Sequence, residues 1–328
     1  AFYTTPLKAL SNQKFHDLVG LYGEEQVGLL TGDVAIHPEA PVVVMTTEVL
    51  RNMMYAASSA LSDVGYVILD EVHFLQDTYR GPVWEEIIIH LERSIRLVCL
   101  SATVSNAPQL AKWMTEVRYR TAVITETTRP VPLKNHYMVF DKTNERLHLF
   151  PTFVGGALNR DALRLDESGV RQRGLGKSRR SPIGGTRKLA VPTRLEVIDV
   201  LDDKAMLPAI YFIFSRRQCE EAAAMASQAG IQLISQEEQN AIMRIVDARL
   251  DDFTSDDLSA LGIDGFVQQL MSGVAPHHAG MVPAFKEIVE HAFIAGLLKV
   301  VFATETLAVG VNMPASSVII EKTTKYNG

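Results

Sequence analysis

Short apolar runs separated by amphipathic stretches set the pattern of the first 128 residues. The runs predict strands at 2–5, 27–30, 42–46, 65–70, 96–100 and 120–124. Between them, apolar positions recurring at helical spacing predict helices at 7–21, 47–56, 81–93 and 107–115. Strands alternating with helices imply a parallel sheet covered on both faces. Right-handed crossovers then bring the carboxyl ends of the strands to one rim.

The rhythm breaks over 129–192. Arg129-Pro130-Val131-Pro132 reads as a linker and His136–Phe140 as a strand, whereas 155–190 is rich in Gly, Arg and Ser with little apolar periodicity. That composition buries too little surface to order itself, so a mobile surface insertion is expected. From 193 the α/β rhythm returns. Helices are predicted at 193–204, 216–229, 236–251, 263–272 and 282–296, and strands at 208–214, 299–303 and from 318. The expected organisation is a first lobe at 1–128, a linker and insertion at 129–192, and a second lobe at 193–328.

Composition changes this picture little. At 328 residues and 47% hydrophobic, the chain is long enough for two globular domains. No apolar run approaches the ~20 residues of a membrane span, and no secretory signal opens the chain. Its start at Ala1 in a strand and its end at Gly328 within a patterned region read as an internal piece of a longer protein. Cys99 and Cys219 have neither metal-ligand nor disulfide spacing, which suits a reduced, cytoplasmic setting. The net charge of −6 hides a basic stretch: residues 160–190 carry nine Lys/Arg against three Asp/Glu. Phosphate binding can therefore still occur at local basic and backbone-amide sites.

Chemistry concentrates at Val67-Ile68-Leu69-Asp70-Glu71-Val72-His73, a buried apolar strand ending in two carboxylates and a histidine. Ligands of parallel sheets gather at such strand ends. Two adjacent acids there are costly unless they hold a cation or move protons. Asp70 suits Mg²⁺ held through water, and Glu71 suits orienting and deprotonating a water that attacks a γ-phosphate. A solvated acidic turn is the plain alternative. Four rim turns join the pair: Thr5-Pro6-Leu7-Lys8-Ala9-Leu10, Thr31-Gly32-Asp33, Thr46-Thr47-Glu48 and Ser101-Ala102-Thr103. Each has a dull reading as a helix cap, a solvated charge or a closed turn. Gly176-Lys177-Ser178 mimics the tail of a phosphate-binding loop, but the leading glycine position holds Arg171 and no strand precedes it, so it is rejected.

These residues, taken together, resemble a superfamily 2 helicase of the DEVH-box, Ski-like RNA helicase group. The resemblance covers nearly the whole chain outside 155–190. Thr5–Leu10 resembles motif Ia, Thr46–Leu50 the strand-end motif that holds a nucleic-acid backbone, Asp70-Glu71-Val72-His73 motif II, and Ser101-Ala102-Thr103 motif III. Tyr79–Glu86 resembles the segment that follows motif II in this group. Phe214-Ser215-Arg216-Arg217 resembles motif IV, His277-His278-Ala279-Gly280 a second-lobe motif, and Thr304–Pro314 motif V.

The resemblance implies two tandem RecA-like lobes with ATP in the cleft between them and single-stranded nucleic acid across both rims. It assigns Mg²⁺ and water to Asp70 and Glu71, with His73 relaying nucleotide state toward Ser101 and Thr103. Lys8, Thr47, Ser215, Arg216 and Thr304 would face nucleic acid, and Gly310 and Asn312 the nucleotide. His277 and His278 are equally well read as core or cap histidines. The Walker A P-loop and motif VI are not found in these 328 residues, so both lobes are expected to be incomplete and the chain alone to hydrolyse little ATP. RNA is favoured over DNA as substrate, with partners in RNA processing or degradation and no membrane. A DNA-repair helicase and a non-catalytic scaffold remain as alternatives.

Overall fold

The computed structural model describes residues 1–328 except 103–105, 130, 165–188, 252, 305–306, 308–312 and 323–328. Its described residues divide into two compact units, and the first takes in Ala1–Glu126. In chain order it contains β1 (Phe2–Thr5), α1 (Lys8–Tyr22), β2 (Val27–Leu30), β3 (Ala35–Ile36), β4 (Val42–Thr46), α2 (Thr47–Tyr55), β5 (Tyr66–Leu69), α3 (Gly81–His90), β6 (Arg96–Cys99) and α4 (Ala107–Val117). The sheet runs β3-β2-β4-β1-β5-β6. Every pairing is parallel except the short β2–β3 hairpin.

Alternate strand residues feed two cores, as a doubly covered sheet requires. Phe2, Val43, Met45, Val67 and Leu69 pack with Leu50 of α2 and with Trp84, Ile87 and Ile88 of α3. On the other face, Val27, Leu29 and Val44 pack with Phe15 of α1, and Tyr3 leans on that cluster. Gly28 is required where β2 meets β3, because a Cβ there would run into the His37 carbonyl oxygen.

The second unit takes in Thr127–Thr304 and the chain from Met313. It opens with β7 (His136–Asp141), β8 (Arg146–Pro151), β9 (Phe153–Val154), β10 (Ala157–Leu158) and β11 (Leu189–Ala190). There follow α5 (Arg194–Asp203), β12 (Ala209–Phe212), α6 (Arg216–Gln228), α7 (Gln236–Leu250), α8 (Ser255–Ala260), α9 (Ile263–Met271), β13 (Val274–His277), α10 (Pro283–Ile294), β14 (Val300–Ala303) and β15 (Ser317–Ile320). β11-β7-β8 form an antiparallel sheet and β9-β10 a small hairpin. The main sheet, β13-β14-β12-β15, is wholly parallel. Thr193 and Ser235 close capping boxes with Glu196 and Glu238, which fixes the starts of α5 and α7.

Some sequence expectations change. Residues 120–124 form no strand, and Val123 and Ile124 are exposed. Their β-branched character favours extension, but a strand needs a partner edge. Helix α3 stops at His90, since Leu91 turns to an extended conformation. The expected insertion holds ordered pieces at its ends: β9, β10 and β11 lie at its borders, and β11 pairs with β7.

Candidate functional site

The site begins where β5 ends. Asp70 still donates its amide to the Thr4 carbonyl (3.0 Å), continuing the ladder with β1. On the other side, Leu100 donates to Leu69 (2.9 Å) and Val72 to Leu100 (2.9 Å). Between these anchors the chain turns at Glu71, whose backbone is left-handed at φ 53° and ψ 44°. That conformation costs a non-glycine residue about 1–2 kcal/mol, so the flanking hydrogen bonds impose it.

The turn gives the two acids different settings. Asp70 is held from both sides: Tyr3 donates its phenol to Oδ2 (2.7 Å) and the Glu71 amide donates to Oδ1 (2.9 Å). Burial, the hydrogen bond to Asp70 and nearby negative charge push the Tyr3 phenol above its ordinary range, so it serves as a neutral donor. The Glu71 side chain is one-third exposed at 33%. Its Oε2 lies 3.1 Å from His73 Nδ1, close enough for an ion pair when the ring is protonated but not aligned as a hydrogen bond. Behind His73, Phe74 stacks on the buried Trp84 at 5.7 Å.

Among the described residues, no group of three or more His, Cys, Asp or Glu is arranged to hold a metal unaided. Mg²⁺ carried on nucleotide phosphates needs no such cage; one carboxylate, directly or through water, suffices. Asp70, fixed in orientation and retaining lone pairs, fits that role.

Other expected residues of the first unit lie near strand ends but differ in availability. Lys8 opens α1 and pairs with Asp33 at 2.8 Å, both side chains being largely exposed. Hydrogen bonds from Lys8 and Thr31 hold the Asp33 carboxyl below its usual range. Thr47 is fully buried, and its hydroxyl donates to the Thr5 carbonyl (3.0 Å), tying α2 to β1. Ser101 is exposed just beyond β6; Thr103 lies outside the described residues. Arg80 was not anticipated. It donates to the Pro6 carbonyl (3.0 Å), fastening the Tyr79–Glu86 segment to the turn after β1. Asp77 caps that segment by accepting from the amides of Tyr79 and Arg80.

In the second unit, Ser215 caps α6 by accepting from the Gln218 amide (3.4 Å), and Arg216 is exposed beside it. Thr304 follows β14, is buried, and donates its amide to the His277 carbonyl (3.2 Å). Gly310 and Asn312 lie outside the described residues. His277 and His278, at the end of β13, are seated in the fold. His277 meets Glu290 at 2.9 Å and His278 meets Glu220 at 2.8 Å. The Gly280 amide donates to His278 Nδ1 (3.1 Å), so the ring proton belongs on Nε2, facing Glu220. Glu220 and Glu290 lie on α6 and α10, outside the motifs; no local pattern marks them as histidine partners.

Residues 1–111 match the DEAD/DEAH box helicase family. The whole chain is 48% identical, over 342 residues, to the probable helicase HelY of Mycobacterium tuberculosis, covering 36% of that protein. With 99% of its length it is 36% identical to the ATP-dependent RNA helicase mtr4 of Schizosaccharomyces pombe and 37% identical to human Superkiller complex protein 2, covering 30% and 26% of them. The chain thus spans about a third or less of the curated relatives it matches. The acid pair ending a parallel strand, the family match around it and the relatives along the full length agree: this chain belongs to the Ski-like group of the superfamily 2 helicase family and has an α/β, RecA-like fold.

Proposed function

We propose that the chain is the motor segment of an ATP-dependent helicase that works on nucleic acid, with RNA preferred over DNA. The observation that carries this reading is the unequal acid pair, Asp70 clamped and Glu71 open to solvent, at the end of β5. Asp70 would hold Mg²⁺ through water, and bound Mg²⁺ supplies neutralisation of phosphate charge. Glu71 would orient a water against the γ-phosphate and take its proton. His73, 3.1 Å from Glu71, would pass the state of that site toward Ser101 across the β5–β6 ladder. Lys8, Ser215 and Arg216 would meet backbone phosphates, the last two at the start of α6, where free amides favour anions. For Thr47 and Thr304, whose side chains are buried, the contact would come through the backbone of the turns they hold.

Two relatives are named as RNA-directed or Superkiller proteins, which supports RNA and partners in RNA processing or degradation. No described helix is long and apolar enough to cross a membrane. Neither cysteine is in a disulfide, and burial pushes the Cys99 thiol up to about 11, which suits a reducing cytoplasm. The test is ATP hydrolysis by the full-length parent protein with and without Glu71→Gln, comparing RNA with DNA as activator. RNA-stimulated turnover that falls at least a hundredfold in the variant is expected. Stimulation by DNA alone would move the substrate to DNA. Absence of turnover with either would make the protein a scaffold.

A further inference from the structure

We propose that Tyr3 is a positioning residue of the nucleotide site, setting the Asp70 carboxylate for Mg²⁺ through a hydrogen bond from the neighbouring strand; this deepens the reading above and rests on it. In the β1–β5 ladder, Tyr3 stands opposite Ile68, and Asp70 is two residues further along the same face. A side chain two residues further along on the neighbouring strand is within reach of a long aromatic side chain on the same face. The Tyr3 hydroxyl ends 2.7 Å from Asp70 Oδ2. Its ring rests on the cluster of Phe15, Val27, Leu29 and Val44, with the Lys14 ammonium 5.6 Å above it.

The bond has a directional consequence. The Glu71 amide donates to Oδ1. With Tyr3 on Oδ2, both carboxylate oxygens are fixed, and the plane of the group can no longer swing. Each oxygen keeps a lone pair for a metal-bound water. Without the phenol, only the amide of the adjacent residue restrains Asp70. Partners that orient a metal-binding carboxylate typically change metal affinity or activity by about 10–100-fold when removed.

The experiment uses the full-length parent protein and Tyr3→Phe, which keeps the ring and removes the hydroxyl. Binding of a fluorescent ATP analogue is titrated over Mg²⁺ concentration and again in excess EDTA, with Mn²⁺ electron paramagnetic resonance as a direct count of bound metal. The half-saturating Mg²⁺ concentration is expected to rise about tenfold, while nucleotide affinity in EDTA is unchanged. A purely structural hydroxyl would alter thermal stability and leave the Mg²⁺ dependence alone. If Tyr3→Phe fails to fold, 3-fluorotyrosine is placed at position 3. Its fluorine resonance is then expected to move with Mg²⁺-nucleotide and not with nucleotide in EDTA. An unchanged Mg²⁺ half-saturation in folded Tyr3→Phe, or an unmoved resonance, overturns the role of Tyr3 alone. A parent protein that binds no nucleotide at any Mg²⁺ concentration overturns the helicase reading with it.

Discussion

Arg118 offers a sharp test of how the rim strand β6 is held in place. It follows α4 and is only 8% exposed, yet among the described residues no carboxylate pairs with it. Its guanidinium instead donates to four carbonyls: Ile88 (3.2 Å), Leu91 (2.7 Å), Glu92 (2.8 Å) and Ile95 (2.9 Å). Ile88 and Leu91 lie at the end of α3, whose last carbonyls have no partner within the helix and carry the negative end of its dipole. Glu92 and Ile95 belong to the turn that feeds β6. One side chain thus ties α3 to the strand that runs to Ser101.

An intramolecular hydrogen bond contributes about 0.5–1.5 kcal/mol, net of desolvation. Four of them shared by one guanidinium, at the lower half of that range, contribute ~2–4 kcal/mol. Arg118→Met keeps the stem and removes every donor, so the first unit should lose that amount. Arg118→Lys has three donors radiating from one nitrogen and cannot match a planar fork, so it should lose about half. The chain has two tryptophans, Trp84 and Trp113, and both pack in the first unit's core, so urea unfolding followed by tryptophan fluorescence reads that unit selectively. At a slope of about 2 kcal/mol per M, the Arg118→Met midpoint should fall by about 1–2 M. A shift below about 0.3 M, or a lysine variant no better than methionine, would refute the hydrogen-bond reasoning.

Gly81→Ala should destabilise the same unit by about 1–3 kcal/mol, because the new Cβ would sit 2.5 Å from the Leu75 carbonyl oxygen; an unchanged tryptophan transition would contradict it. The second unit should weaken in acid. Burial raises the Glu290 carboxyl, but the His277 hydrogen bond and the charges of His277 and Lys286 outweigh this and hold it below its ordinary value; the Lys299 hydrogen bond does the same for Glu238. Groups with depressed values stabilise above the unfolded value, near ~4.3 for glutamate, and that stabilisation is lost as pH falls through the folded one. Lower amide protection factors across Val274–His277 on acidification, with the intrinsic pH dependence of exchange divided out and the loss reduced in Glu290→Gln, are the expected result, and rising protection factors would reverse the sign. Finally, the 328 residues alone should hydrolyse ATP only weakly, since they hold no complete G-x-x-x-x-G-K-[ST] loop; phosphate release near the rate of the full-length parent would overturn this.

The strands of the first sheet were legible because both of its faces are buried. Val42–Thr46 and Val27–Leu30 read as unbroken apolar runs for that reason. Two-residue pieces such as Ala35–Ile36 and Leu189–Ala190 were not, because pairing rather than composition makes them strands. Val123 and Ile124 misled in the opposite direction: their composition suits a strand, but they have no pairing. The acids at the end of β5 stood out because charge follows a buried run without a break. Tyr3, Arg80 and the glutamates facing His277 and His278 did not, since each meets its partner only through tertiary register. Thr47 shows the same limit: its hydroxyl is turned inward to Thr5, which no local pattern reveals.

The contrast between Asp70 and Glu71 explains why adjacent acids can do different work. Two like charges side by side repel, and hydrogen bonding both equally would fix both. Here the donors go to Asp70 alone, from β1 and from the next amide. Glu71 is aimed by its backbone instead: the left-handed turn at φ 53° directs its side chain to the rim and leaves it a third exposed, with His73 alongside. A metal-holding group benefits from rigidity, whereas a base must meet a water that comes from solvent and accept its proton. The strain at Glu71, about 1–2 kcal/mol, is met by the ladder bonds on either side. Under the proposed roles, Glu71→Gly would relax the turn, so a kept fold with lost ATP turnover would separate what the backbone does here from what the carboxylate would do.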